Sequence, residues 1–285
     1  MTQVTNPTQP LSSQPIGGGG SSIVGIENQN RLNGTSGNDI ILTFGASDVI
    51  GGGGGNDLII TGGGNDSVGG GDGNDTILSG SGSDVVAGGT GDDFLFGGKG
   101  DDLLDGGDGN DLISGDRGND TVLGGSGSDT VFGGQGSDIV SGGDGNDSLY
   151  GGKENDTVNG GSGNDFISGD RGSDVLTGGD GSDTFYFFSS GGDYGVDTIT
   201  DFTPGQDKIR LKQGGVFAGL GSAFEAREFV VVSGFNAANA GSGTTNKLVY
   251  DPTNGALYFN GSSGVLTVAQ LQPGLTITSN NFELF

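Results

Sequence analysis

Residues 70–78 read GGDGNDTIL and residues 79–87 read SGSGSDVVA; these adjacent nonapeptides decide the fold. The first fits the pattern GGxGxDxUx with U apolar, the second departs from it only by Ser79 at the first position, and the pattern runs outward in both directions. From Asp39 to Asp183 every ninth residue is Asp, and two residues after each Asp stands Ile, Val or Leu, or Phe185 in the last copy. The first six positions, with glycines at positions 1, 2 and 4, suit a turn that visits positive φ. The last three suit a very short strand that points U inward and its neighbours outward. Turn, strand, turn, strand closes one coil every 18 residues, and stacked coils make a parallel β-solenoid.

Composition supports that reading and removes others. Glycine supplies 67 of 285 residues, against a globular average of roughly 7%. Collagen would need Gly at every third position and abundant Pro, and only 6 prolines are present. Cys, His and Trp are absent, which removes disulfides, imidazole and thiolate metal sites, His-dependent triads and zinc HExxH chemistry. A formal charge of -26 opposes nucleic acids and anionic lipid, so no nucleic-acid partner is expected and a cationic one is. No apolar run is long enough for a transmembrane segment.

The nonapeptides resemble the RTX, or haemolysin-type, calcium-binding repeat, and the resemblance spans residues 34–186. It implies an all-β fold, a right-handed parallel β-roll with two nonapeptides per coil, and calcium held where successive turns stack. In that family the Asp of one turn and the Asp one coil later clasp the same ion. Carried over position by position, the metal ligands are Asp39, Asp57, Asp66, Asp75, Asp84, Asp93, Asp102, Asp111, Asp120, Asp129, Asp138, Asp147, Asp156, Asp165, Asp174 and Asp183. Asp48 is set aside, because TFGASDVIG from Thr43 lacks all three glycines, and Asp39 reads as half a site at the start of the roll. The ceiling is about 15 ions in two columns.

Physical chemistry explains why such a roll needs a cation. Each 18-residue coil owns only two U side chains, too little apolar burial to offset ordering a glycine-rich backbone. Asp side chains one strand spacing apart repel by about 3–4 kcal/mol at an effective dielectric near 20. Calcium accepts carboxylates together with backbone carbonyls, a mixture that glycine-rich turns present and that suits magnesium less well. Further departures at glycine positions include three acidic residues. Glu154 stands at a fourth position, where strain is favoured over an added ligand, and Asp116 and Asp170 stand at second positions.

Consecutive nonapeptides lie on opposite sides of the coil, so odd and even repeats can be compared. Third positions of the even set include Lys99, Arg117, Gln135, Lys153 and Arg171; those of the odd set include Asp72, Asp108, Asp144 and Asp180. One edge is expected to be sparsely basic and the other acidic. Odd repeats also place Leu58, Ile60, Leu78, Phe94, Phe96, Leu112, Phe132, Tyr150 and Phe166 outward, an apolar face expected to be covered by the C-terminal region, a second copy or a cell-surface partner.

The remaining segments are read as follows. Residues 1–33 are a flexible leader with an N-terminal edge strand, without the basic and apolar regions of a cleaved signal. Residues 187–285 form a β-rich cap. There VDTITDFTPGQDKIRL from Val196 resembles the segment that closes RTX rolls, with Asp197, Asp201 and Asp207 as candidate terminal ligands. FVVV at 229–232, KLVY at 247–250 and ALYF at 256–259 read as strands, the last two as a hairpin through Asp251–Gly255. The ending NNFELF is similar to the signal read by type I secretion machinery. These features predict a secreted calcium-binding structural or interaction protein. Adhesin or surface-layer association is the alternative, and an enzyme or an ice-binding solenoid is less favoured, with no GxSxG and no continuous outward Thr row.

Overall fold

The computed structural model describes residues 20–25, 28–188, 195–212, 217, 220, 228–235, 240, 246–261 and 264–285. The fold is all-β and divides into two compact units, residues 1–138 and 139–285.

The first unit is a parallel β-solenoid. Its strands run from β1 (Ser22–Val24), β2 (Arg31–Asn33), β3 (Ile40–Leu42), β4 (Val49–Gly54), β5 (Leu58–Ile60), β6 (Ser67–Asp72) and β7 (Thr76–Ser81), one strand every nine residues, to β13 (Thr130–Gln135). Odd-numbered strands form one sheet and even-numbered strands the other. Neighbours in a sheet stand 18 residues apart, as in Ile59↔Ile77 and Val68↔Val86. The U residues fill the space between the sheets: Ile41, Ile59, Ile77, Leu95, Leu104, Ile113, Val122 and Val131 are wholly buried.

Most strands are six residues long, twice the expected length. The glycines at positions 1 and 2 do not leave the ladder; pairs such as Gly80↔Gly98 and Ser81↔Lys99 continue it past the repeat boundary. Only positions 4 to 6 turn. Positive φ is confined to position 2 (Gly80, 100°) and position 4 (Gly82, 133°), while position 1 is ordinary extended backbone. Because each strand crosses into the next nonapeptide, Phe94, Phe96 and Lys99 belong to one strand, and Leu112 and Arg117 to the next of the same sheet. The apolar and basic rows, read as belonging to different repeats, therefore share the odd sheet. Phe94 is 46% exposed and Leu78 and Phe132 are each 37% exposed.

The second unit repeats this construction from β14 (Ile139–Asp144) to β19 (Thr184–Phe187), with Leu149, Val158, Ile167, Leu176 and Phe185 in its core. Two further rungs follow at longer spacing, β20 (Asp197–Ile199) on Val175–Leu176 and β21 (Lys208–Leu211) on Thr184–Phe187. Beyond them β22 (Phe229–Val231), β23 (Lys247–Tyr250), β24 (Ala256–Gly261) and β25 (Gly264–Gln270) extend the even sheet. β23 and β24 form the expected hairpin. The last strand, β26 (Phe282–Leu284), pairs in parallel with β21, and Phe285 packs on Tyr186 with ring centroids 4.0 Å apart. Here the C-terminal strand extends the odd sheet at its edge. The cap has an apolar core of its own, including Leu248, Tyr250, Leu257, Phe259 and Ala269. Among the described residues no helix is long and apolar enough to cross a membrane.

Candidate metal centre

Every aspartate of the series is withdrawn from solvent: Asp39, Asp48, Asp57, Asp66, Asp75, Asp84, Asp93, Asp102, Asp111, Asp120, Asp129 and Asp138 in the first unit, and Asp147, Asp156, Asp165, Asp174 and Asp183 in the second, are at most 3% exposed. Such burial is exceptional for carboxylates. One carboxylate oxygen is used in stacking. The Asp57 N–H donates to Asp75 Oδ1 at 2.7 Å, Asp75 to Asp93 at 2.7 Å and Asp93 to Asp111 at 2.8 Å. The other column does the same through Asp66, Asp84, Asp102, Asp120 and Asp138. In the second unit Asp147 donates to Asp165, Asp165 to Asp183 and Asp156 to Asp174. The backbone carbonyl of each Asp meanwhile caps the following strand, as when Thr76 N–H donates to Asp57 O.

The second oxygen has no such use. Oδ2 of Asp48, Asp57, Asp66, Asp75, Asp84, Asp93, Asp102, Asp111, Asp120, Asp165 and Asp174 is buried without a hydrogen-bond partner. A buried carboxylate oxygen left bare is costly, and a periodic row of them points to a ligand rather than to an isolated defect. Where the first position of the repeat is glycine, as before Asp57, Asp75, Asp93 and Asp111, the space beside that oxygen is oxygen-lined. A Cβ placed on Gly52 would lie 2.3 Å from Asp57 Oδ2 and 2.4 Å from Gly70 O; on Gly70, 2.2 Å from Asp75 Oδ2 and 2.5 Å from Gly88 O. The first-position glycine is therefore needed to keep a cradle of carboxylate and carbonyl oxygen open. No three carboxylates converge among the described residues. The donor set is carboxylates completed by backbone carbonyls, the hard-oxygen mixture suited to calcium.

The electrostatics agree. Burial raises the carboxyls of Asp75, Asp120 and Asp165 to about 6 and of Asp93 and Asp102 to about 7, against the lowering effect of the donated N–H, with neighbouring carboxylates adding to the rise. Asp57, Asp84, Asp111 and Asp183 shift upward for the same leading reason. A column of carboxylates that resists ionisation is short of positive charge.

The column ends differ from the interior. Asp39 is satisfied within the chain: Oδ1 accepts from Ser21 N–H, and Oδ2 from the Thr35 N–H and hydroxyl. Asn30, in the same nine-residue phase, begins the other column by donating its backbone and side-chain N–H groups to Asp48 Oδ1, at 2.6 and 2.8 Å. Of the terminal candidates, Asp197 and Asp207 continue the columns, accepting from Asp174 N–H at 3.1 Å and Asp183 N–H at 3.0 Å. Asp201 stands apart and accepts from Gly178 and Gly179 N–H. The substituted glycine positions are strained: Ala46, Asp116, Glu154 and Asp170 have φ of 68°, 73°, 73° and 64°. Asp116 and Asp170 each accept a hydroxyl from the serine two residues earlier, Ser114 at 2.6 Å and Ser168 at 2.7 Å.

Comparison with known proteins gives the same periodicity a family. The model of the RTX calcium-binding nonapeptide repeat matches residues 24–59, 51–86, 78–113, 87–122, 123–158 and 159–187. No curated protein matches the chain significantly. Among solved structures, the solution structure of a subunit from the Azotobacter vinelandii mannuronan C5-epimerase aligns over 60% of this chain and 77% of that one, at 24% identity and a TM-score of 0.30. Repeats of this family bind calcium. With more than half of its length matched and its buried carboxylates in the phase the repeat requires, the chain belongs to the RTX calcium-binding nonapeptide-repeat family.

Proposed function

We propose that this protein is an extracellular structural or interaction module whose roll folds when a row of calcium ions enters between stacked turns. The observation that carries the proposal is the row of buried Oδ2 atoms without partners, those of Asp57, Asp75, Asp93, Asp102, Asp111, Asp120 and Asp165 each beside a carbonyl-lined cradle. Calcium supplies a divalent charge and six to eight oxygen coordination positions. The Asp residues supply the anionic ligands, the first-position glycines the room, and the carbonyls one coil on the neutral ligands. Asp197 and Asp207 extend the ligand columns past the last nonapeptide.

Calcium gradients across a cell envelope make such a fold conditional. At low calcium the chain stays extended and is passed outward by a type I secretion machinery; outside, the ligand columns close. Titration of calcium into metal-free protein, followed by circular dichroism, is expected to bring in strand signal, and chelator to remove it. A compact metal-free protein indifferent to calcium would overturn the proposal.

A second reading, attachment to a cell surface, is favoured by the exposed apolar side chains of Leu78, Phe94 and Phe132 on the outer face of the odd sheet. Cell fractionation in calcium separates it from a freely soluble role.

A further inference from the structure

The even-repeat column of the first unit is built differently at its N-terminal end. In coils with glycine at the first position, the missing Cβ keeps the cradle open; on Gly97 it would come within 2.5 Å of Asp102 Oδ2, and on Gly115 within 2.4 Å of Asp120 Oδ2. At the equivalent positions before Asp48, Asp66 and Asp84 stand Thr43, Thr61 and Ser79, with real side chains that are 3%, 0% and 0% exposed. Their hydroxyls form a ladder along the roll. Thr43 Oγ1 donates to Thr61 O at 3.0 Å, Thr61 Oγ1 to Ser79 O at 2.6 Å and Ser79 Oγ to Gly97 O at 2.8 Å. The carbonyls that line the cradle elsewhere, such as Gly70 O and Gly88 O, correspond here to carbonyls already accepting a hydroxyl.

Resting on the calcium reading above, we propose that Thr43, Thr61 and Ser79 obstruct the cradles of Asp48, Asp66 and Asp84, so that this stretch of the column loads calcium last and most weakly. Two features act together. A Cβ occupies volume that the carboxylate and ion need, and the next coil's carbonyl is held by a hydroxyl rather than left to complete a coordination shell. The hydroxyl ladder in turn ties successive coils together and takes over part of the role that an ion plays elsewhere. The odd-repeat column through Asp57, Asp75 and Asp93, with Gly52, Gly70 and Gly88 at its first positions, has no such obstruction.

Native mass spectrometry of the full chain across a calcium titration tests this by counting bound ions. Thr61→Gly and Ser79→Gly are each expected to add one ion at calcium levels where the wild type has reached its plateau. Thr61→Ala, which keeps the Cβ but removes the hydroxyl, should recover less than Thr61→Gly. The reciprocal change, Gly70→Ser, places a side chain in the odd column at a residue whose φ is not left-handed, so it adds no left-handed backbone strain, but its Cβ must displace Asp75 Oδ2 and Gly88 O; with folding in calcium checked by circular dichroism, it should remove one ion. Should the glycine variants bind the same number of ions as wild type or fewer, the hydroxyls are neutral or are themselves ligands, and the inference fails while the calcium reading stands. A wild type that binds no calcium overturns both.

Discussion

Two kinds of buried carboxylate in this chain show what the repeat does that the cap does not. Asp251, in the hairpin turn of the cap, is 1% exposed, yet Oδ1 accepts from Gly234 and Thr253 N–H and Oδ2 from Phe235 N–H. Burial alone would raise its carboxyl, but the donors together hold it below the ordinary value. Asp93, equally buried, has one donor on Oδ1 and none on Oδ2, and lies at about 7. The cap solves its buried charge with its own backbone. The repeat leaves one oxygen of Asp93, and of counterparts such as Asp57, Asp75 and Asp111, for something outside the chain.

The largest expected consequence is a regional response to chelation. With calcium removed, hydrogen exchange followed by mass spectrometry should show peptides from residues 58–187 losing protection almost entirely, while peptides from 247–271 keep more of theirs, since Leu248, Tyr250, Leu257 and Ala269 form a conventional apolar core. Equal loss in both regions would show that the cap borrows its stability from the rungs it extends, and the contrast drawn from Asp251 and Asp93 would then concern chemistry but not stability.

Next in size is the effect of pH, with opposite signs in the presence and absence of calcium. Folded carboxyls at about 6 to 7 lie above their unfolded value of 3.8, so the folded roll binds protons that the unfolded chain releases. Their contribution is fully present below pH of about 4 and is lost as pH rises through the 6 to 7 range. Metal-free protein should therefore gain strand signal on acidification. In calcium the same protons compete for the same oxygens, and the calcium midpoint should rise by roughly an order of magnitude between pH 7 and pH 5. A metal-free chain with no acid-induced structure would show that its remaining backbone cost exceeds the relief from repulsion.

Much of this was legible in the sequence, because a strict period turns one residue's environment into that of every copy. The Asp phase located the strands, the buried U residues and the candidate ligands. Strand length was misjudged because glycine was read as turn throughout, whereas the first-position glycine is extended and is needed for its missing Cβ. That error also separated Phe94 and Phe96 from Lys99, which one strand carries together. Asn30 lies in the nine-residue phase before Asp39, the one signal of its place in the column, but an amide there does not stand out in a series of carboxylates. Asp197 and Asp207 could be suspected but not placed, since register at the roll's end departs from 18 residues. Thr43, Thr61 and Ser79 were visible as substitutions, but their meaning depends on which atoms face the vacant first-position Cβ, and only the stacked backbone supplies that.

Within the cap, Asp251→Asn should cost about 1.5–3 kcal/mol, because the charged acceptor becomes a neutral amide that can present only one oxygen to three N–H donors. Thermal unfolding in saturating calcium measures the loss. The number of ions counted by native mass spectrometry should not change, and a changed count would mean that this carboxylate also serves a metal, against the distinction drawn from its hydrogen bonds.

The smallest expected stability effect lies on the odd sheet's outer surface. Phe94→Ser and Leu78→Ser remove apolar side chains that are 46% and 37% exposed, from strands held by backbone ladders and by inward-facing Leu95 and Ile77. Substitutions at such positions usually fall within about 0.5 kcal/mol, so unfolding in calcium should barely move. That near-neutrality makes the pair informative, because any loss of retention on cells, or of self-association by light scattering, then reports a contact rather than a folding defect. If folding, retention and association are all unchanged, the exposed row reflects the preference of β-strands for bulky residues, and the odd sheet's outer face has no binding role.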